Sequence, residues 1–318
     1  MALQFNTPIL FLIFNRPDVT QKVFDQIKQI KPKNLFVAAD GPRPDRPTEQ
    51  ILCMETRQVI NQVDWDCELK TLFREENLGC GVAVSSAISW FFEQVEEGII
   101  VEDDCLPDLS FFPFCSELLT KYKDDESISI ISGTNMQNGI MRGNSSYYFS
   151  NYPAIWGWAS WRRAWNLYIY DVQNIEKSFK SGELNHVFQS FREKLYWTRK
   201  LKKNLTGKKS TWDYQWSYAI WKNRGLSIIP NVNLITNIGF RNNSSHIFLE
   251  DSIREPSISN PIQFPLIHPG KNVNREADQF LYKNAVSHSI SRLFRLIKEN
   301  GIITIVKYTL GKIIKTNP

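Results

Sequence analysis

Three consecutive carboxylates, Glu102-Asp103-Asp104, follow directly on the apolar run Ile99-Ile100-Val101, which Gly98 precedes. A short apolar run bounded by glycine has the pattern of a buried β-strand, and adjacent acids at its end repel one another unless a cation compensates them. A divalent metal shared with phosphates would do so. Hard cations take oxygen ligands and hold one or two protein carboxylates when substrate phosphates supply the rest. The other reading is a solvated acidic turn.

What separates the two readings is the company the cluster keeps. Asn15 and Arg16 follow the run Pro8–Phe14, Asp40 follows Leu35–Ala39, and Arg74, Glu75 and Asn77 follow Glu68–Phe73. Ligands of open α/β sheets lie outside the carboxyl ends of the strands. An arginine suits a phosphate, a lone aspartate can accept a base N–H, and a carboxylate cluster suits a metal. Together they fit a nucleoside diphosphate. The turn Asn77-Leu78-Gly79-Cys80-Gly81 could bring backbone close to a ligand, although it contains no phosphate-loop sequence.

The elements that must position these residues alternate in type. Strands are expected at Pro8–Phe14, Leu35–Ala39, Glu68–Phe73 and Ile99–Val101. Helices are expected from Arg16-Pro17-Asp18 onward, with Val19, Val23, Ile27 and Ile30 on one face, and at Thr48–Val63, Val82–Val95 and Phe111–Tyr122. Four such alternations predict an α/β fold with a mostly parallel central sheet flanked by helices. Further on, a strand is expected at Ser127–Ser132, helical pieces near Ala159–Tyr168 and Trp212–Lys222, and a strand near Leu226–Ile229. The plan is one domain over 1–280, with a nucleotide-binding half (1–125), an acceptor half (126–280) and a C-terminal helical tail over 281–318.

Composition narrows the function classes. Hydrophobic content of 42% with 22% charge is ordinary for a soluble globular enzyme. The net charge of +5 is concentrated: residues 281–318 carry +6, so the body sums to −1 and nucleic-acid binding by it has no electrostatic support. Five cysteines with no CxxC pair suggest neither a disulfide framework nor a zinc site and point to a reducing cytoplasm. The sequons at Asn144, Asn204 and Asn243 then read as chance matches. Pro8–Phe14 is too short for a signal peptide, and no apolar run reaches the ~18 residues of a membrane span.

The segments Pro8–Pro17 (PILFLIFNRP), Leu35–Arg43 (LFVAADGPR) and Ile99–Phe112 (IIVEDDCLPDLSFF) resemble the GT-A glycosyltransferases, in particular the inverting N-acetylglucosaminyltransferase I type. The likeness continues through Trp156–Trp165 (WGWASWRRAW), Thr211–Trp216 (TWDYQW) and Gly239–His246 (GFRNNSSH), and so covers roughly residues 5 to 250 in order. It implies transfer of a sugar from a UDP-linked donor such as UDP-GlcNAc, with a divalent cation, Mn2+ or Mg2+, as cofactor. Asp104 would be the metal ligand, with Glu102 beside it in the donor site. Asp103 would contact the ribose or donor sugar, Arg16 the nucleotide beside Asn15 and Asn77, and Asp40 the uracil. Asp213 would be the base, and His246 would lie in a loop closing on the diphosphate. The chain departs from the family in lacking a secretory anchor and in the segment after Asn77.

Other residues have competing readings. Asp64-Trp65-Asp66 is literally an Asp-x-Asp, but it follows a helix and precedes a strand, at the wrong edge of the sheet. Asp213 could instead serve the first turn of a helix capped by Thr211. Trp158, Trp161 and Trp165, spaced i, i+3, i+7, read as a helical core stripe. Trp156 and Tyr152, in irregular sequence with Tyr147 and Tyr148, are the candidates for stacking on an acceptor sugar. His186, His268 and Arg162-Arg163 read as surface residues. The basic amphipathic stretch 289–315 is expected to meet an anionic membrane surface, where a glycan or lipid-linked acceptor would be found. A sugar-1-phosphate nucleotidyltransferase and a catalytically silent sugar-binding protein are the alternatives. The former usually carries a glycine-rich first loop, which Phe14–Asp18 lacks.

Overall fold

A computed structural model describes residues 5–170, 175–205, 211–239 and 258–286 of the chain. The apolar runs Ile9–Ile13, Leu35–Ala39 and Gly98–Val101 become buried strands, whereas Glu68–Phe73, at the edge of the sheet, has no fully buried residue. Strands β1 (Ile9–Ile13), β2 (Asn34–Ala39), β3 (Glu68–Phe73) and β4 (Glu97–Glu102) pair in parallel in the order β3-β2-β1-β4. Between them run helices α1 (Pro17–Ile30), α2 (Pro47–Gln58, continued by a 3-10 turn at Val59–Gln62) and α3 (Cys80–Gln94). Helix α1 starts at Pro17, whose fixed φ suits a first turn, and buries Thr20, Val23, Phe24 and Ile27. Its buried face is thus centred slightly away from the expected Val19–Ile30 stripe.

The chain builds outward from β1 through β2 to β3, then crosses back to lay β4 on the other side of β1. This reversal opens a crevice at the carboxyl ends of β1 and β4, the place where ligands of such sheets bind. After β4, the short β5 (Cys105–Pro107) leads into α4 (Phe111–Lys121) and β6 (Ile128–Ser132). Strands β7 (Tyr147–Ser150), β8 (Trp158–Trp161) and β9 (Leu226–Pro230) complete an eight-stranded mixed sheet in which β8 lies antiparallel between β4 and β6. Strand β10 (Ile235–Asn237) pairs antiparallel with β5, opposing Asn237 to Cys105. The second half adds α5 (Arg162–Trp165), α6 (Ile175–Lys180), α7 (Phe191–Leu205) and α8 (Asp213–Lys222).

Two expectations change here. The tryptophan stripe is not one helix: Trp158 and Trp161 belong to β8, and only Arg162–Trp165 is helical. The i, i+3, i+7 spacing arises because a strand ends where a helix starts. The boundary at 281 also falls inside a helix over residues 275–286, in which Ala277, Leu281 and Ala285 are buried. Asp278 on this helix is fully buried and accepts hydrogen bonds from Ser150 Oγ, Asn151 Nδ2 and the Asn151 backbone N–H, fastening the segment to the end of β7. The tail over 289–315 lies outside the described residues. Among the described residues, no helix is long and apolar enough to cross a membrane.

Candidate functional site

Leu12 of β1 stands opposite Glu102 of β4, so the two strands deliver Asn15-Arg16 and Glu102-Asp103-Asp104 to the same crevice. The cation facing the acid cluster is Arg16. Its guanidinium donates to both oxygens of Asp103, Nε to Oδ2 at 3.3 Å and Nη2 to Oδ1, and Nη2 also reaches Asp104 Oδ2 at 3.0 Å. Asp103 is the most enclosed of the three acids, 4% exposed.

Among the described residues, three carboxylates stand against the one guanidinium of Arg16, and their electrostatics reflect that crowding. Burial, then the charges of Asp104 and Asp103, push Glu102 well above the usual carboxylate range. Asp103 is pushed up to about 6 by burial, which outweighs the opposing pull of Arg16. For Arg16, desolvation pulls the pKa down, but Asp103 and Asp104 more than restore it, so the guanidinium is a permanent charge.

The β5–β10 ribbon closes the crevice from the other side. The Ile238 N–H donates to the Asp104 carbonyl at 2.8 Å, and Gly239 follows. A Cβ built on Gly239 would overlap Asp104 Oδ2 and stand 2.8 Å from Arg16 Nη1, so only glycine lets the backbone pass this close. Sequence reasoning quoted Gly239 within a motif but gave it no role, because its partners lie more than 130 residues away.

Asp213 approaches the cluster from the opposite half of the sheet closely enough for its charge to act on Glu102. It is buried at the start of α8, 3% exposed, and its charge reaches Glu102, Cys80 and Tyr168. Asp213 does stand in the first turn of α8, as the capping alternative expects, but Thr211 does not cap that helix. Thr211 spends its hydroxyl on Gln215 Oε1, and the residue before α8, Trp212, makes no side-chain cap. Aromatic packing fixes the helix instead. Trp212 stacks on Trp158 at 5.9 Å, while Trp216 meets Trp165 at 5.0 Å and Tyr168 at 6.4 Å. The tryptophans concentrated between Trp156 and Trp221 thus act as the mount for Asp213.

Cys80, at the first residue of α3, was missed by the sequence reading. It keeps solvent contact yet is crowded by protein, and burial followed by the charges of Glu102, Asp213, Asp40 and Asp104 pushes its thiol up to about 12. A separate cavity of about 330 Å³, toward the far end of α3 from Cys80, is lined by Ser89, Phe92, Glu93, Arg162, Trp165 and Tyr168 and by none of the acid cluster.

Several expected ligand contacts are redirected. Asp40 Oδ1 accepts from the N–H groups of Gly41 and Leu78, and its Oδ2 accepts from the Gly79 N–H and Asn77 Nδ2, all at 3.0 Å. A carboxylate has about four acceptor positions, and Asp40 uses four in holding the turn before α3, where Gly79 takes φ 77°. Asn77 Nδ2 also donates to the Gly41 carbonyl, spending its second hydrogen. Asn15 Nδ2 donates to Glu49, a buried acid clasped by Arg43. These hydrogen bonds tie the three residues to the walls of the crevice.

The aromatic candidates are corrected as well. Tyr152 is fully buried and donates to Glu193, and Trp156 is 3% exposed. Neither offers a ring face to a sugar; they face the core because β7 and the following loop turn inward under α7 and α8. His268 is at the surface as expected, and its Nδ1 lies 3.0 Å from the Tyr147 hydroxyl. Arg163 donates to three backbone carbonyls and stacks on Trp161. His246 lies outside the described residues. Asp64 pairs with Lys28 at the far edge of the sheet, apart from the cluster.

The acid cluster fits one kind of cation. Among the described residues, no group of three His, Cys, Asp or Glu side chains is arranged to hold a metal by itself. Asp104 presents a hard-oxygen carboxylate, 17% exposed, beside two further acids. That donor set suits a cation that brings most of its oxygen ligands with it, as Mg2+ or Mn2+ does on a diphosphate.

No family model matches the sequence, and neither does any curated protein. Among solved structures, the chain is similar to UDP-glucose pyrophosphorylase complexed with UDP-glucose, at 11% identity and a TM-score of 0.39 over 74% of this chain and 94% of that one. It is also similar to residues 1–349 of S. aureus TarS, at 12% identity and a TM-score of 0.34 over 60% and 56%. HddC from Yersinia pseudotuberculosis aligns at 10% identity and a TM-score of 0.27 over 45% and 59%. The chain therefore spans little more than half the length of the latter two proteins. At these scores the likeness assigns no activity. The architecture itself is a mixed α/β fold, a large central sheet flanked by helices.

Proposed function

We propose that the chain is an inverting glycosyltransferase of the GT-A type, taking a nucleotide sugar, UDP-linked, with a divalent cation. UDP-GlcNAc is the first donor to test. The observation that carries this reading is the placement of Glu102-Asp103-Asp104 at the crevice beside β1, with Asp213 within electrostatic reach from the other half of the sheet.

Asp104 would hold the cation, which when bound offsets the charge that develops on the leaving diphosphate. Arg16 supplies a second, permanent positive charge beside it. The Asn77–Gly79 turn, clamped by Asp40, fixes the wall of the nucleotide side. Asp213, in its carboxylate form, accepts the proton of the acceptor hydroxyl as that oxygen bonds to the anomeric carbon and the bond from the anomeric carbon to the diphosphate oxygen breaks. One displacement from the face opposite the leaving group inverts the configuration. The acceptor is a glycan or lipid-linked hydroxyl. It would enter past Tyr168, since Tyr152 and Trp156 are enclosed. In this reading the enzyme works on the cytoplasmic side, with 289–315 resting on an anionic membrane.

The sugar-1-phosphate nucleotidyltransferase is the alternative reading, and the β1–α1 junction speaks against it. Only Phe14–Arg16 separate β1 from α1, with Pro17 opening the helix, and there is no glycine-rich loop between them. The test is release of UDP from a panel of UDP-sugars with Mn2+ and candidate acceptors, with the product's anomeric configuration read by NMR. A retained configuration, or pyrophosphate formation from sugar phosphate and UTP, would overturn the proposal.

A further inference from the structure

We infer that Arg16 is a built-in counter-ion that occupies Asp104 in place of the divalent cation, so that the protein takes up cation and nucleoside diphosphate as one unit and holds the cation poorly by itself. This deepens the proposed function and rests on it.

The inference begins with unequal exposure. The Asp103 side chain is 6% exposed and that of Asp104 17%, whereas that of Arg16 is 35% exposed. The acids are fixed at the end of a buried strand, and the arginine can swing toward solvent. Asp104 Oδ2, the oxygen bonded to Arg16 Nη2, is also the one that Gly239 packs against. Its other oxygen, Oδ1, lies 3.5 Å from the Cys105 thiol. A cation approaching Asp104 Oδ2 therefore meets a positive guanidinium with no spare room on the Gly239 side.

A bare divalent ion would have to displace Arg16 from Asp104 while Asp103 still holds the guanidinium close by, which sets one cation beside another. A diphosphate changes this balance, because it offers Arg16 a bidentate anionic partner of matching geometry. The guanidinium then transfers from carboxylate to phosphate while the metal takes the carboxylate. Cation and nucleotide binding are thereby coupled, and by linkage each raises the affinity for the other by the same factor.

The experiment is Mn2+ binding followed by electron paramagnetic resonance, with and without UDP, on the full chain. Wild type is compared with Arg16→Met, Arg16→Lys and Asp104→Asn, with circular dichroism confirming that each is folded. Wild type should bind Mn2+ weakly alone and at least about tenfold more tightly with UDP, within the usual size of coupling between sites. Arg16→Met should tighten Mn2+ alone by about tenfold while shrinking the UDP-dependent gain. Arg16→Lys, which keeps the charge but loses the fork, should fall between. Wild type binding Mn2+ equally well with and without UDP would overturn the inference, as would Arg16 variants whose affinity for Mn2+ alone equals that of wild type. Absence of Mn2+ binding in every protein, even with UDP, would instead overturn the glycosyltransferase reading itself.

Discussion

The chain buries acidic groups in two places, and they are built differently. At the end of β4, Glu102, Asp103 and Asp104 crowd one another and share one guanidinium. At the end of β7, Asp278 sits alone, fully buried, and is met by the Ser150 hydroxyl and by the backbone and side-chain N–H groups of Asn151. Neutral donors satisfy Asp278, so it serves as a rivet between the C-terminal helix and the sheet. The β4 cluster opens to a crevice. A carboxylate that finds neutral hydrogen-bond donors within the fold supports structure, whereas the crowded β4 carboxylates are the ones that the proposed function assigns to a ligand.

The largest expected effect separates Asp213 from both. Asp213→Asn is nearly isosteric and should keep donor binding while turnover falls by two or more orders of magnitude, the usual size of a general-base contribution. Near-normal turnover with a small loss of stability would return this residue to a purely helical role.

Asp278→Asn sharpens the structural side of the comparison. It keeps the volume but turns an amide N–H toward the Asn151 donors, and should cost about 1–3 kcal/mol, the range for a buried polar group left unsatisfied. Because burial raises Asp278 from its ordinary value near 3.8 to about 6, the folded state binds the proton more tightly than the unfolded chain. Its contribution to stability is greatest below pH 4 and is lost as pH rises through 6. The gap in Tm between wild type and Asp278→Asn should accordingly narrow from pH 4 to pH 7. A gap that widens with pH would contradict the assignment.

The smallest effect is the control. Asp64→Ala removes one acid of the literal Asp-x-Asp at the other edge of the sheet, where Asp64 pairs with the Lys28 ammonium. UDP affinity with Mn2+ should not change, and a measurable loss would mean that the wrong acids have been assigned.

The first half of the fold was legible because its periodicity is local. Glu68–Phe73 is a strand where the pattern placed it, and Phe111–Lys121 a helix within one residue of expectation. The second half resisted because its elements are short and held by distant partners. β5 and β10 are three residues each and exist through their mutual pairing, and the Trp158–Trp165 spacing imitates a helix across a strand–helix junction. The same division runs through the site. The acid cluster can be read from three neighbouring letters. The hydrogen bonds of Asp40 with Asn77, Leu78 and Gly79, the enclosure of Tyr152 by Glu193 and the approach of Gly239 to Asp104 all depend on contacts between residues far apart in sequence.

The claim on which the rest stands is that the β4 cluster receives a diphosphate through a cation at Asp104. Calorimetric titration of UDP into wild type and Asp104→Ala, each with and without Mn2+, tests it most directly. Mn2+ should strengthen UDP binding to wild type, and Asp104→Ala should lose most of that increment while its melting curve stays close to that of wild type. Equal UDP affinity in all four titrations would contradict the account.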